Sequence, residues 1–76
     1  MSLGFFVPMR SVSEIVGAEI RRIRSDQKLL QRELADGAAL PLRTIGRIER
    51  GEVDVRLSTL AKIAKALRVS LKSLLP

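Results

Sequence analysis

From Val12 onward, apolar residues recur at three- and four-residue steps. Val12, Ile15, Val16, Ile20 and Ile23 form one series, with Arg21, Arg22 and Arg24 set between them. That spacing predicts an amphipathic helix over residues 12–26. Ser11 and Glu14 stand at the spacing of a capping box, in which hydroxyl and carboxylate each satisfy a free backbone N–H. A shorter helix is expected from Gln31, turning Leu34 and Ala35 inward. It is interrupted over residues 38–41, because Pro41 disfavours helical geometry at Leu40. Pro41 in turn suits the start of a third helix, where its missing N–H is not needed. This helix is expected to run to Arg50 and stop at Gly51, a natural left-handed terminus. Leu57, Leu60, Ile63, Ala64 and Leu67 mark a fourth helix, with Lys62 and Lys65 outward. Ser70 is placed to cap a last turn or two carrying Leu71, Leu74 and Leu75. No strand-like alternation appears. The expected fold is all-α, a compact five-helix bundle.

Residues 1–10 fit none of these periods. Gly4 to Met9 holds both Phe residues, Phe5 and Phe6, together with Pro8. The domains expected are therefore an apolar arm or tail over 1–10 and a helical domain over 11–76. The arm is too short and too weakly flanked for a secretory signal, so a cytoplasmic location is the expectation. No apolar run approaches the ~20 residues that a membrane span needs.

Composition narrows the chemistry. Seventy-six residues give one small domain. The absence of Cys excludes disulfides, zinc–thiolate sites and thiol nucleophiles, and the absence of His removes the usual general base and metal ligand. Neither a metal nor a cofactor is expected, and the chain does not read as an enzyme. With no Trp or Tyr, stacking platforms for single-stranded nucleic acid are not expected. The formal charge is +6 and is unevenly spread: net +1 over residues 1–38 and net +5 over 39–76. Ten of the 14 cations are Arg, whose planar fork suits phosphates and guanine edges. Charge alone favours a polyanion partner over a merely solvated surface only by about two to one, so geometry must decide.

The third helix supplies that geometry. On a wheel of 100° per residue with Arg43 at zero, Ile45 and Ile48 fall at about 200° and 140°. Arg47 and Arg50 fall at about 40° and 340°, with Leu42 near 260° and Gly46 near 300°. The helix thus presents an Ile edge inward and an Arg stripe outward. A helix lying in a major groove needs that division.

Gln31, Leu34, Ala35, Ile45, Ile48, Glu49 and Gly51 together carry a pattern. It resembles the helix-turn-helix of the phage-repressor and Cro-type (Xre-like) DNA-binding family. In that family Gln opens the first helix of the motif, Leu-Ala follows on it, and Ile-x-x-Ile-Glu-x-Gly closes the second. The likeness extends from Ile15 to Leu75 and takes in Leu57, Leu60, Ala64, Leu67 and the Ser70 cap. It implies a repressor-like domain with its helix-turn-helix at helices 2 and 3. It also implies that Glu49 pairs with a basic residue on helix 1, at the position of Arg24, as a structural ion pair. A catalytic carboxylate is the weaker reading of Glu49, for want of a second partner. The chain departs from the family pattern in three places. Leu30 replaces the usual Ser or Thr cap, Ala39 the turn Gly, and Pro41-Leu42 the polar pair opening helix 3. Gly37 also raises the expectation that helix 2 ends early and its turn is rearranged.

The function expected is a sequence-specific, double-stranded DNA-binding transcriptional regulator of repressor type. It would act as a homodimer on a palindromic operator. Leu42, Arg43 and Arg47 are the expected base readers, and Gln31 and Arg50 the expected phosphate contacts. Leu71, Leu74, Leu75 and the Phe5-Phe6 arm are the apolar surface available for pairing. The alternative is a protein-interaction module, such as an antitoxin that neutralises a partner toxin.

Overall fold

The computed structural model describes residues 10–76; the remainder of the apolar arm lies outside the described residues. Four α-helices follow one another: α1 (Val12–Asp26), α2 (Gln31–Ala38), α3 (Leu42–Glu49) and α4 (Leu57–Leu67). The last element, Leu71–Leu74, is a single 3₁₀ turn, so the described residues form four α-helices and not the five expected. Four residues between the Ser70 cap and the extended Leu75 close one turn at most. No strand occurs among the described residues.

Each boundary has a local cause. Ser11 Oγ accepts from the Glu14 N–H at 3.2 Å and Glu14 Oε1 accepts from the Ser11 N–H at 2.9 Å, completing the capping box of α1. The α2 start has half of such a box: Glu33 Oε1 accepts from the Leu30 N–H at 2.8 Å, while the Leu30 side chain, being hydrocarbon, accepts nothing. Helix α2 continues through Gly37 to Ala38, contrary to the early stop expected at Gly37. It ends instead at Ala39, which takes the left-handed conformation at φ 56° that the family pattern assigns to glycine. Pro41 is the N-cap of α3, one residue ahead of the helix itself, with the Thr44 and Ile45 N–H groups donating to its carbonyl. Gly51, at φ 73°, turns the chain away from the end of α3.

The core is aliphatic. Ile20 of α1, Leu34 of α2, Ile45 and Ile48 of α3, Ile63 and Leu67 of α4 and Leu74 of the last turn are fully buried together. Ala35 and Ala38 let α2 lie close to its neighbours. Gly17 does the same for α1 and α3, since a Cβ there would overlap the Ile48 carbonyl oxygen. The apolar series on α1 and α4 is longer than the core can cover. Val12 and Leu57 remain 62% and 63% exposed and Ile15 is also exposed, because no described element packs over those first turns.

Ala39 carries a penalty of roughly 1–2 kcal/mol for an L-residue in the left-handed region. Ala39→Gly should therefore stabilise the domain by about 1 kcal/mol and raise the melting temperature by about 4–8 °C. A calorimetric scan of the two proteins checks this, and an unchanged or lower melting temperature would contradict the assignment.

Candidate nucleic-acid interface

Glu49, at the end of α3, is the one buried charged residue among those described, and its side chain is only 2% exposed. Three donors from two other elements converge on it. Arg24, near the end of α1, donates through Nε to Oε2 at 2.6 Å and through Nη2 to Oε1 at 3.1 Å. Gln31, the first residue of α2, donates through Nε2 to Oε1 at 3.0 Å. Arg24 uses its remaining terminal nitrogen, Nη1, on the Leu29 carbonyl at 2.7 Å. The ion pair thus fixes the end of α1, the start of α2 and the end of α3 relative to one another. No buried side-chain polar atom among the described residues lacks a partner.

The opposite face of α3 is wet. Leu42, Arg43 and Arg47 are exposed along it, while Ile45 and Ile48 are buried behind them. Thr44, half-buried, lies between the two faces. All three expected base readers are exposed on a helix anchored from within, Arg43 and Arg47 about 40° apart around its axis and Leu42 about 100° from Arg43. Gln31 lies half-buried at the α2 N-terminus with its amide already engaged by Glu49. An amide nitrogen carries two hydrogens, so one is left for an outside acceptor such as phosphate.

Arg50 lies beyond the helix proper, as its C-cap, with its N–H donating to the Gly46 carbonyl at 3.1 Å. Its guanidinium folds back over Gly46, where an added Cβ would meet Nη1 at 3.1 Å. There it pairs with Glu52, with Arg50 Nε donating to Oε2 at 2.6 Å and Nη2 to Oε1 at 3.4 Å. The same carboxylate lies 3.8 Å from Arg47 Nε. Hydrogen bonding from Arg50, followed by its charge, holds the Glu52 carboxyl below the ordinary glutamate range. Glu52 is not among the residues that the helix wheel or the family pattern singles out. Its signal is an exposed acid two residues after Arg50 and five after Arg47, within reach of both once the chain turns at Gly51 beyond the end of α3.

Residues 20–74 match the helix-turn-helix family HTH_3. The chain belongs to this helix-turn-helix family. Among HTH_3 relatives, Control protein C.SmaI of Serratia marcescens is 41% identical over 64 residues, which is 84% of this chain and 76% of that protein. The restriction-modification controller protein C.AhdI of Aeromonas hydrophila superposes with a TM-score of 0.80 at 31% identity, covering 82% of this chain and 94% of that one. The clp gene regulator ClgR of Corynebacterium glutamicum gives 0.84 at 30% identity, over 88% and 71% respectively. As an HTH_3 domain, the chain is a DNA-binding transcriptional regulator, and the antitoxin reading is not favoured. No helix among the described residues is long and apolar enough to cross a membrane.

Removing one partner of a buried ion pair leaves the other charged and unpaired, at a cost of about 3–5 kcal/mol. Arg24 is 13% exposed at its side chain, so Arg24→Ala should fall near the lower end of that range. Thermal unfolding should show a drop of more than about 10 °C. Gln31→Ala should cost much less, because Arg24 still holds Glu49. Equal losses for the two variants would show that the pair is not what fixes the three helices.

Proposed function

We propose that this regulator binds a palindromic operator as a homodimer and inserts α3 into the major groove, reading sequence with Leu42, Arg43 and Arg47. The carrying observation is the split surface of α3, with a dry Ile edge locked by Glu49 and an exposed Arg-bearing edge on the other side. Arg43 and Arg47 suit guanine O6 and N7, and Leu42 suits a thymine methyl. Gln31, at a helix N-terminus with one amide hydrogen to spare, and Arg50 serve the phosphates on either side. The likeness to C.AhdI, a restriction-modification controller protein, favours a controller role for this chain as well.

One such domain touches too few base pairs for tight binding, so two half-sites about 34 Å apart are expected. The structure offers a face for pairing. Val12, Val16, Val55, Leu57, Leu60 and Leu75, with the hydrogen-bonded Ser13 and Asp54 among them, line a mostly apolar hollow of about 210 Å³ with no contribution from α3. Two copies joined there would leave both Arg edges uncovered. Of the three Leu residues considered for pairing, Leu74 is buried in its own core, Leu71 is half-buried and Leu75 is exposed. Phe5 and Phe6 lie outside the described residues.

Selection from a random duplex library should yield a two-fold symmetric site. On it, Arg43→Ala and Arg47→Ala should each cost about 1–3 kcal/mol and flatten preference at one or two positions. Arg50→Ala should weaken binding to the selected site without changing which bases are preferred, and lower the salt slope on that site by about one unit per protomer. With about six phosphate contacts per dimer, the wild-type slope of log K against log salt should be roughly −5. Arg43→Ala and Arg47→Ala proteins that keep the wild-type preference would overturn the reading.

Sedimentation equilibrium at micromolar concentration should show a dimer. Leu57→Asp combined with Leu75→Asp should convert it to monomer without unfolding it. A strictly monomeric wild type, or a double variant that stays dimeric, would remove this face from consideration.

A further inference from the structure

Glu52 has the wrong sign for its place. A negative side chain just past a helix C-terminus opposes the helix dipole, and here it also lies beside the surface expected to meet DNA phosphates. It is nevertheless held firmly. The Glu52 N–H donates to the Arg47 carbonyl at 3.0 Å and the Gly51 N–H to the Ile48 carbonyl at 3.0 Å, which together close the end of α3. The side chain therefore starts from a fixed point on the last turn of the helix.

Resting on the major-groove reading above, we propose that Glu52 is a specificity-determining residue, which withholds Arg50 from non-specific phosphates and positions Arg47 for base reading. Its two oxygens occupy the Arg50 fork as a phosphate would, at 2.6 and 3.4 Å. A phosphate must displace the carboxylate to reach Arg50. The displaced carboxylate has a second partner at hand, because Oε1 is already 3.8 Å from Arg47 Nε. Closing on Nε leaves both terminal nitrogens of Arg47 directed outward, the pair that addresses O6 and N7 of a guanine. A complex in which Arg50 takes phosphate and Arg47 takes a base keeps Glu52 paired. A non-specific complex, built almost wholly on phosphate contacts, draws both arginines to the backbone and leaves the carboxylate unpaired among phosphates. Glu52 thus penalises the second complex more than the first.

The test is Glu52→Gln, which keeps the size and removes the charge. Duplexes carrying the selected site and duplexes of scrambled sequence are titrated over a range of salt. Scrambled-sequence affinity should rise about 3- to 10-fold, and selected-site affinity should rise less or fall, so that the ratio between them shrinks. The non-specific salt slope should steepen by about one unit per protomer. Asp36→Asn removes the same charge from an exposed residue outside every ion pair among the described residues, and its ratio should match wild type. In an Arg47→Ala background, Glu52→Gln should no longer alter preference at the position Arg47 reads. An unchanged ratio in Glu52→Gln, or a uniform gain on all sequences, overturns the proposal while leaving the major-groove reading intact. A wild-type protein that selects no sequence overturns both.

Discussion

The Glu49 carboxylate is the point on which three helices agree. A buried charge is tolerated only when it is paired and its lone pairs are filled, and Arg24 and Gln31 meet that demand from two different elements. The requirement is geometric as well as electrostatic. Arg24 can reach Glu49 only if α1 passes close behind α3, which is possible because Gly17 presents no side chain to the Ile48 carbonyl. Gln31 can reach it only if α2 begins beside the end of α3. The angle at which α3 projects from the domain is therefore set by hydrogen bonds behind it, while the hydrophobic core supplies most of the cohesion.

That arrangement frees the outer face of α3 from structural duty. Ile45 and Ile48 bury one edge, and the chain then needs nothing from Leu42, Arg43 or Arg47 for its stability. Such residues can vary in chemistry without disturbing the fold, which is how one scaffold comes to read different sequences. Ala39 shows the reverse case. Its left-handed backbone holds the turn between α2 and α3 despite the methyl group, because Leu40 closes that turn through the Ala35 carbonyl at 2.9 Å.

Most of the architecture could be read from spacing. The spans of α1 and α4 follow from their apolar series, while Ser11 marks the start of α1 and Pro41 and Gly51 bracket α3 through fixed backbone chemistry. Three Leu residues after a Ser cap look alike whether they form one 3₁₀ turn or a longer helix, so spacing alone suggests a fifth helix where the chain makes a single turn. Gly37 misled for a related reason: glycine permits a left-handed stop but does not compel one, and the helix runs one residue further. The Arg24–Glu49 pairing came only through family likeness, since periodicity reports which side a residue faces and not which distant residue it meets. Glu52 was invisible on the helix wheel because it lies past the helix end. Its contact with Arg50 depends on the path of the chain after Gly51.

Two glutamates three residues apart thus do opposite things with the same functional group. The Glu49 side chain is 2% exposed, and the low-dielectric surroundings make its attraction to Arg24 strong and nearly indifferent to salt. Glu52 is 46% exposed and Arg50 59%, so their pairing is weak, screened and readily exchanged. Raising ionic strength loosens the outer pair while sparing the inner one. The separation arises from the turn at Gly51, which carries the chain out of the core within two residues of Glu49.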